Sequence, residues 1–167
     1  GSGGRLRKLD LQATPEEVYV EAEAKFPPPR RHGGYAKIQR LTAIPGGRLS
    51  GNHHLFFDGK QKLAYYEFEQ YIFESGTYEI RGAFINARDY GVAQLSIDGE
   101  EIGPRVEGYH KFVRRQPWEA GRTVELNAGH HTIRLTVVER HPSAIGWNAG
   151  LDFLEFEKVQ PNGEESQ

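Results

Sequence analysis

The residues predict an all-β fold of two antiparallel sheets stacked as a sandwich, and three observations carry that prediction. Eight tyrosines, nine phenylalanines and two tryptophans stand beside 20 glycines, a mixture suited to short pleated strands and tight turns. Segments alternating in side-chain type recur along the chain, as in Thr77-Tyr78-Glu79-Ile80-Arg81, the period of a half-buried strand. Between them stand glycine pairs that favour positive φ: Asp58-Gly59, Ser75-Gly76, Asp98-Gly99, Ala120-Gly121 and Ala128-Gly129. With 167 residues the chain suits one core that needs no covalent staple.

Taken in order, residues 1–17 read as a lead-in, opening Gly1-Ser2-Gly3-Gly4 without a methionine anywhere and closing on a Thr14-Pro15-Glu16-Glu17 turn. Such a start is expected of an excised or processed piece, from which any export signal is already gone. The domain proper is expected over 18–160, with a polar tail at 161–167. Residues 18–24 alternate as a strand carrying Glu21 and Glu23 on one face, until Phe26-Pro27-Pro28-Pro29 ends it. A long Gly, Pro and Arg-rich excursion follows, with one short strand at 36–41. Strands are then predicted at 49–57, 62–73, 77–87, 91–97, 109–115, 123–126, 131–138 and 151–159. Asp98-Gly99 is the clearest hairpin turn, joining Leu95-Ser96-Ile97 to Glu100-Glu101-Ile102.

Composition excludes several chemistries. The absence of cysteine removes disulfides and thiolate metal sites. A formal net charge of −2 gives no global attraction for a polyphosphate, so nucleic acid is not an expected partner. Membrane insertion is not expected either, because no apolar run approaches spanning length. No zincin helix, serine-hydrolase elbow or phosphate-binding loop is present. His53-His54 and His130-His131 are adjacent in strand-like segments, which sends the rings of each pair to opposite faces, so neither pair chelates as a unit. Glu67 and Glu69 share a strand face, a poor arrangement for glycoside hydrolysis, where two carboxyl groups must flank the scissile bond. Arg30-Arg31 and Arg114-Arg115 are local basic spots suited to acidic sugars.

Five pieces in sequence carry a family resemblance: Glu21-Ala22-Glu23, Glu74-Ser75-Gly76-Thr77-Tyr78-Glu79-Ile80, Leu95-Ser96-Ile97-Asp98-Gly99, the run from Leu126-Asn127-Ala128-Gly129 to Leu135, and Gly150-Leu151-Asp152-Phe153-Leu154-Glu155-Phe156. In that order they resemble the jelly-roll carbohydrate-binding modules of families 6 and 35. The run from Ala87 to Leu95, with His141-Pro142-Ser143-Ala144 and Gly150-Leu151-Asp152, is also similar to jelly-roll segments accompanying a glycoside hydrolase family of formerly unknown function. The resemblance implies a jelly roll of about eight to ten strands that binds a polysaccharide or oligosaccharide without bond chemistry. It also implies an extracellular or periplasmic setting, attachment to other domains, and a part in polysaccharide degradation. The alternatives are a jelly-roll domain or subunit of a glycoside hydrolase, and an assembly domain without glycan affinity.

Sugar binding requires an aromatic platform beside planar polar groups. Trp147 and Asn148 precede the closing strand, where the resembled modules place a binding asparagine, and Trp118 is expected on an exposed loop. Asp89 with Tyr90, Tyr109 with His110, and His53-His54 with Asn52 supply further candidate contacts. Glu21, Glu23 and Asp152 match the positions that hold a structural calcium in those modules, and oxygen donors of this kind suit a hard cation. The same three residues also read as an acidic face or as carboxylates bonded to loop amides.

Overall fold

In the computed structural model the described residues are 17–41, 44, 45, 47, 49, 51 and 53–160. The lead-in turn at 14–16, Asn52 and the tail at 161–167 lie outside them. Eleven strands occur among the described residues: β1 (Glu17–Glu21), β2 (Arg30–His32), β3 (Gly34–Arg40), β4 (His53–Gly59), β5 (Tyr65–Ile72), β6 (Gly76–Asn86), β7 (Val92–Ile97), β8 (Glu100–Glu107), β9 (Arg114–Leu126), β10 (Gly129–Glu139) and β11 (Ala149–Lys158). One sheet runs β3-β4-β11-β6-β9, with β1 also on β11, and the other runs β2-β5-β10-β7-β8. The strand pairings are antiparallel in both sheets, as the alternating segments predict.

The core lies between the sheets, because period-two alternation gives each strand one apolar face. Leu55, Phe57, Phe84, Leu151 and Phe156 from the first sheet meet Tyr66, Phe68, Leu95, Ile133 and Leu135 from the second. Full burial of such a side chain contributes roughly 1.5–3 kcal/mol, so this interface carries the fold. A smaller cluster of Leu49, Phe56, Ile85, Ala87 and Tyr90, with Leu41 and Ile44 packed on it, covers the outer face of the first sheet.

Several elements differ from the sequence expectation. The opening strand stops at Glu21, and Ala22–Lys25 forms a 3-10 turn in which Ala22 is fully buried. Residues 109–113 are not a strand: the His110 imidazole engages the backbone of Phe112, with Nδ1 2.9 Å from the Phe112 carbonyl oxygen, and folds the chain back. Ala120-Gly121 is not a turn but an irregularity inside β9. Gly121 takes φ +77, and the register passes from Glu79 opposite Thr123 to Arg81 opposite Glu119. The hairpin at Asp98-Gly99 stands as expected, with φ of +52 and +87, the double positive φ of a type I′ hairpin turn.

Candidate functional site

Three connections meet at one end of the sandwich, after β6, after β8 and before β11, and their backbones are laced together. Gly91 N–H donates to the Asn148 carbonyl at 2.9 Å, Gly108 N–H to Gly91 at 3.1 Å, and Ile145 N–H to Arg88 at 3.0 Å. Isolated bridges add Ala87 with Tyr109 and Tyr90 with Asn148. The hairpin between β2 and β3 and the link from β4 to β5 reach the same end, since Gly34 pairs with Gly59 and His32 with Tyr65. Asp89, Tyr90, Tyr109, Trp147 and Asn148 thus lie at one end of the sandwich, and they divide into scaffold and surface.

The scaffold members are buried. The Asn148 amide donates to Asp89 Oδ2 at 3.0 Å, and its backbone N–H to the Asp89 carbonyl at 3.1 Å. Asn148 is 7% exposed, so its side chain secures a loop and does not face solvent. Tyr90 is likewise buried, against Phe56, and burial, with the Asp89 charge beside it, pushes its phenol well above the usual range. Trp118 corrects the expectation of an exposed loop aromatic. It lies in β9 with its ring buried edge-on to Phe84 at 5.8 Å and its indole N–H donated to the Pro104 carbonyl at 3.0 Å. His53 sits at the start of β4, the end remote from these loops, with Nδ1 2.8 Å from the Gly51 carbonyl oxygen.

The surface members are Tyr109, Trp147 and residues that sequence reasoning did not single out. Tyr109 stacks on His141 with centroids 4.7 Å apart and planes 10° from parallel. A cleft of about 360 Å³ beside them is lined by Arg88, Tyr109, Lys111, Ser143 and Ile145, within the range of small-ligand sites. Ile145 and Phe112 are exposed next to it in the chain. Trp147 is partly buried on the core, with the Arg140 guanidinium 4.7 Å over its ring. The signal for Ile145 and Phe112 was available as apolar residues within polar loops, a pattern that marks contact surface rather than core.

The acidic trio lies where the end of β1, with Glu21, and the 3-10 turn, with Glu23, meet Asp152 of β11. The register of β11 on β6 slips between Leu151 and Phe153, and at this irregularity Asp152 is buried and accepts a hydrogen bond from Arg115 Nε at 3.1 Å. Here β4, which pairs with residues 149–151, gives way to β1, whose Glu21 pairs with Phe153. A Cβ on Gly51 would lie 2.8 Å from Glu23 Oε2 and 2.9 Å from Glu21 Oε1, so both carboxylates converge on that glycine. Burial, partly offset by a backbone hydrogen bond, acts with Glu21 and Asp152 to push Glu23 up to about 7. Glu23 Oε1 is buried without a hydrogen-bond partner among the described residues. Three carboxylates and an orphaned oxygen suit a hard cation in kind, although no three acidic or imidazole groups among the described residues stand ready as a ligand set.

Glu67 is the opposite case. Arg30 and Arg134 both hydrogen-bond to its carboxylate, Arg134 Nε at 2.7 Å. Although burial pushes the other way, those bonds hold it below the usual carboxylate range. A carboxylate fixed as an anion does not serve as the proton donor of glycoside hydrolysis.

No family model matches the chain, and no curated protein does. Solved structures do. The family 36 carbohydrate-binding module of a multidomain xylanase from the hindgut metagenome of Trinervitermes trinervoides shares the fold at TM-score 0.53 and 20% identity, over 87% of this chain and 99% of that one. The family 35 module from Clostridium thermocellum matches at TM-score 0.50 and 23% identity, over 84% and 98%. A Paenibacillus xanthan lyase matches at TM-score 0.60 and 19% identity over 81% of this chain, which spans only 14% of the lyase. The chain therefore has the jelly-roll fold of carbohydrate-binding modules.

Proposed function

We propose that this domain is a non-catalytic carbohydrate-binding module whose ligand lies against the loop end of the sandwich. The observation that carries the reading is the cleft lined by Arg88, Tyr109, Lys111, Ser143 and Ile145, with Tyr109 stacked on His141. The ring and the neighbouring donors supply the stacking surface and hydrogen-bonding groups a pyranose needs. The backbone bonds between the loops hold these groups in place before a ligand arrives, which lowers the ordering cost of binding. The jelly-roll fold shared with modules of families 35 and 36 supports the same reading.

Glu21, Glu23 and Asp152 would hold a structural calcium. The ion would offset the clustered carboxylate charge and tie β1 to β11. The domain would act outside the cytoplasm as an attached part of a larger carbohydrate-active protein, the context in which the xylanase module occurs.

A glycan array followed by titration calorimetry tests the function. We expect at least one polysaccharide to bind, and Tyr109→Ala to weaken it about tenfold with the far-ultraviolet spectrum unchanged, the scale of a lost stacking contact. An array with no hit overturns the reading.

A further inference from the structure

We infer that His131 is a pH-sensitive clamp at the end of the sandwich away from the laced loops. As an imidazolium it ties the β7–β8 turn to the β9–β10 turn, and on losing its proton it lets the second turn go. The clamp needs no glycan and goes beyond the glycan-binding reading.

His131 stands near the start of β10, opposite Gln70 of β5, with its side chain 11% exposed. Its ring lies between two turns. Nδ1 is 2.6 Å from Asp98 Oδ2, in the turn from β7 to β8, and Nε2 is 2.6 Å from the Asn127 carbonyl oxygen, in the turn from β9 to β10. An ionised carboxylate and a backbone carbonyl can only accept, so both bonds form together only when both ring nitrogens carry hydrogen. A neutral imidazole donates from one nitrogen and turns a lone pair on the other acceptor. Because the bond to a charged acceptor is the stronger, the neutral ring keeps its hydrogen on Nδ1 and the Asn127 carbonyl is released.

The hairpin turn has other fastenings to β10. The Thr132 N–H donates to Asp98 Oδ1 at 2.9 Å, and the Asp98 N–H to the Thr132 carbonyl at 2.8 Å. The β9–β10 turn is bonded elsewhere, by the Ala128 N–H to Ser75 Oγ at 2.8 Å, in the link from β5 to β6. Deprotonation therefore loosens this second turn and leaves the hairpin in place.

The charges around the ring come from several elements. Asp98 belongs to the hairpin and Glu69 to β5, where its carboxylate accepts from Thr132 Oγ1 at 3.1 Å with Arg30 at 3.6 Å, and its carbonyl accepts from Lys25. His130 precedes it on β10 and points to the opposite face, edge-on to Tyr71 at 5.0 Å. Glu74, in the β5–β6 link, is paired with Lys158 at 2.8 Å, Glu100 of β8 with Arg122 at 3.2 Å, and Glu125 of β9 accepts from the Thr77 hydroxyl. Burial disfavours the charged ring, yet the Asn127 carbonyl, the Asp98 carboxylate and Glu69 together hold its pKa above the usual imidazole value.

Ring-nitrogen NMR over a pH series, on the folded chain and on the same chain in urea, tests the clamp. We expect the His131 midpoint to lie higher in the folded protein, with hydrogen on both nitrogens below it and on Nδ1 alone above it. Asp98→Asn keeps a residue suited to the turn and removes the charge, so it should lower the folded midpoint toward the urea value. With the folded pKa raised, the clamp's stability is fully present below about pH 6.5 and is lost as pH rises through the folded midpoint. His131→Gln should remove that alkaline loss from unfolding curves. In the parent, the Ala128 amide should lose protection from hydrogen exchange relative to the Asp98 amide across the same titration. A folded midpoint at or below the urea value overturns the inference, as does an unmoved Asp98→Asn midpoint, an unaltered alkaline slope in His131→Gln, or Ala128 protection that ignores the titration.

Discussion

Asn148 and Asp89 are bonded twice, through the side-chain amide at 3.0 Å and through the backbone at 3.1 Å. This pair fastens the loop before β11 to the loop after β6. Removing the amide would leave the Asp89 carboxylate short of a donor. Asn148→Ala is therefore expected to lower stability by about 1–3 kcal/mol. A double-mutant cycle with Asp89→Ala, read by chemical denaturation, should return a coupling of about 1 kcal/mol. Strictly additive losses would show that the bond contributes nothing.

Trp118 fills the core beside Phe84 and satisfies the Pro104 carbonyl. Trp118→Ala should cost about 3–5 kcal/mol in urea denaturation, the usual range for a buried aromatic. The fraction that remains folded should bind any glycan ligand as the parent does. A loss of affinity without a loss of stability would place the ring at the ligand after all.

His54 is buried, with Nε2 2.7 Å from Gln39 Oε1, and burial together with the neighbouring His53 lowers its pKa to about 4. The unfolded chain takes up this proton near pH 6.5, while the folded protein resists until about pH 4. Stability is thus fully present above pH 6.5 and is lost as pH falls through the window down to about 4, by about 3 kcal/mol for this group. His54→Gln should flatten that part of the stability curve in unfolding experiments at a series of pH values. An unaltered slope would assign the loss to other groups.

Calcium is expected to raise the unfolding temperature and a chelator to lower it. At free calcium about 100-fold above Kd the gain is about 2.7 kcal/mol. Glu23→Gln removes a ligand charge and should abolish the response, as followed by calorimetry. Identical melting curves with calcium and with chelator would eliminate the metal proposal.

Much of the sandwich could be read from alternation, and what escaped was tertiary. The stretch that becomes β10 was foreseen to within two residues at each end because its alternation is uninterrupted, and the β7–β8 turn because Asp98-Gly99 has only one good use. Trp118 was misplaced because Pro117 and Gly121 both read as breakers. Yet β9 is an edge strand, where a missing N–H costs no ladder bond, and a glycine at positive φ can bulge a strand without ending it. For the site, Asp89, Tyr109 and Asn148 could be named as candidates from the sequence, while their meeting at one end and the role of Asn148 in fastening the loops depend on hydrogen bonds between residues 59 apart. The convergence of Glu21 with Glu23 was anticipated from a continuous strand, and it arises instead across the break into the 3-10 turn.

Glu17, at the start of β1, pairs with Glu157, near the end of β11. The polypeptide therefore enters and exits side by side, a full strand length of about 30 Å from the laced loops. Neighbouring domains on either flank would hang from the base of this unit like a stem, leaving the opposite tip free to reach a polymer surface. Joining Glu17 to Lys158 by a short linker and reopening the chain elsewhere, to make a circular permutant, should cost little, because these residues lie at one end of two adjacent strands.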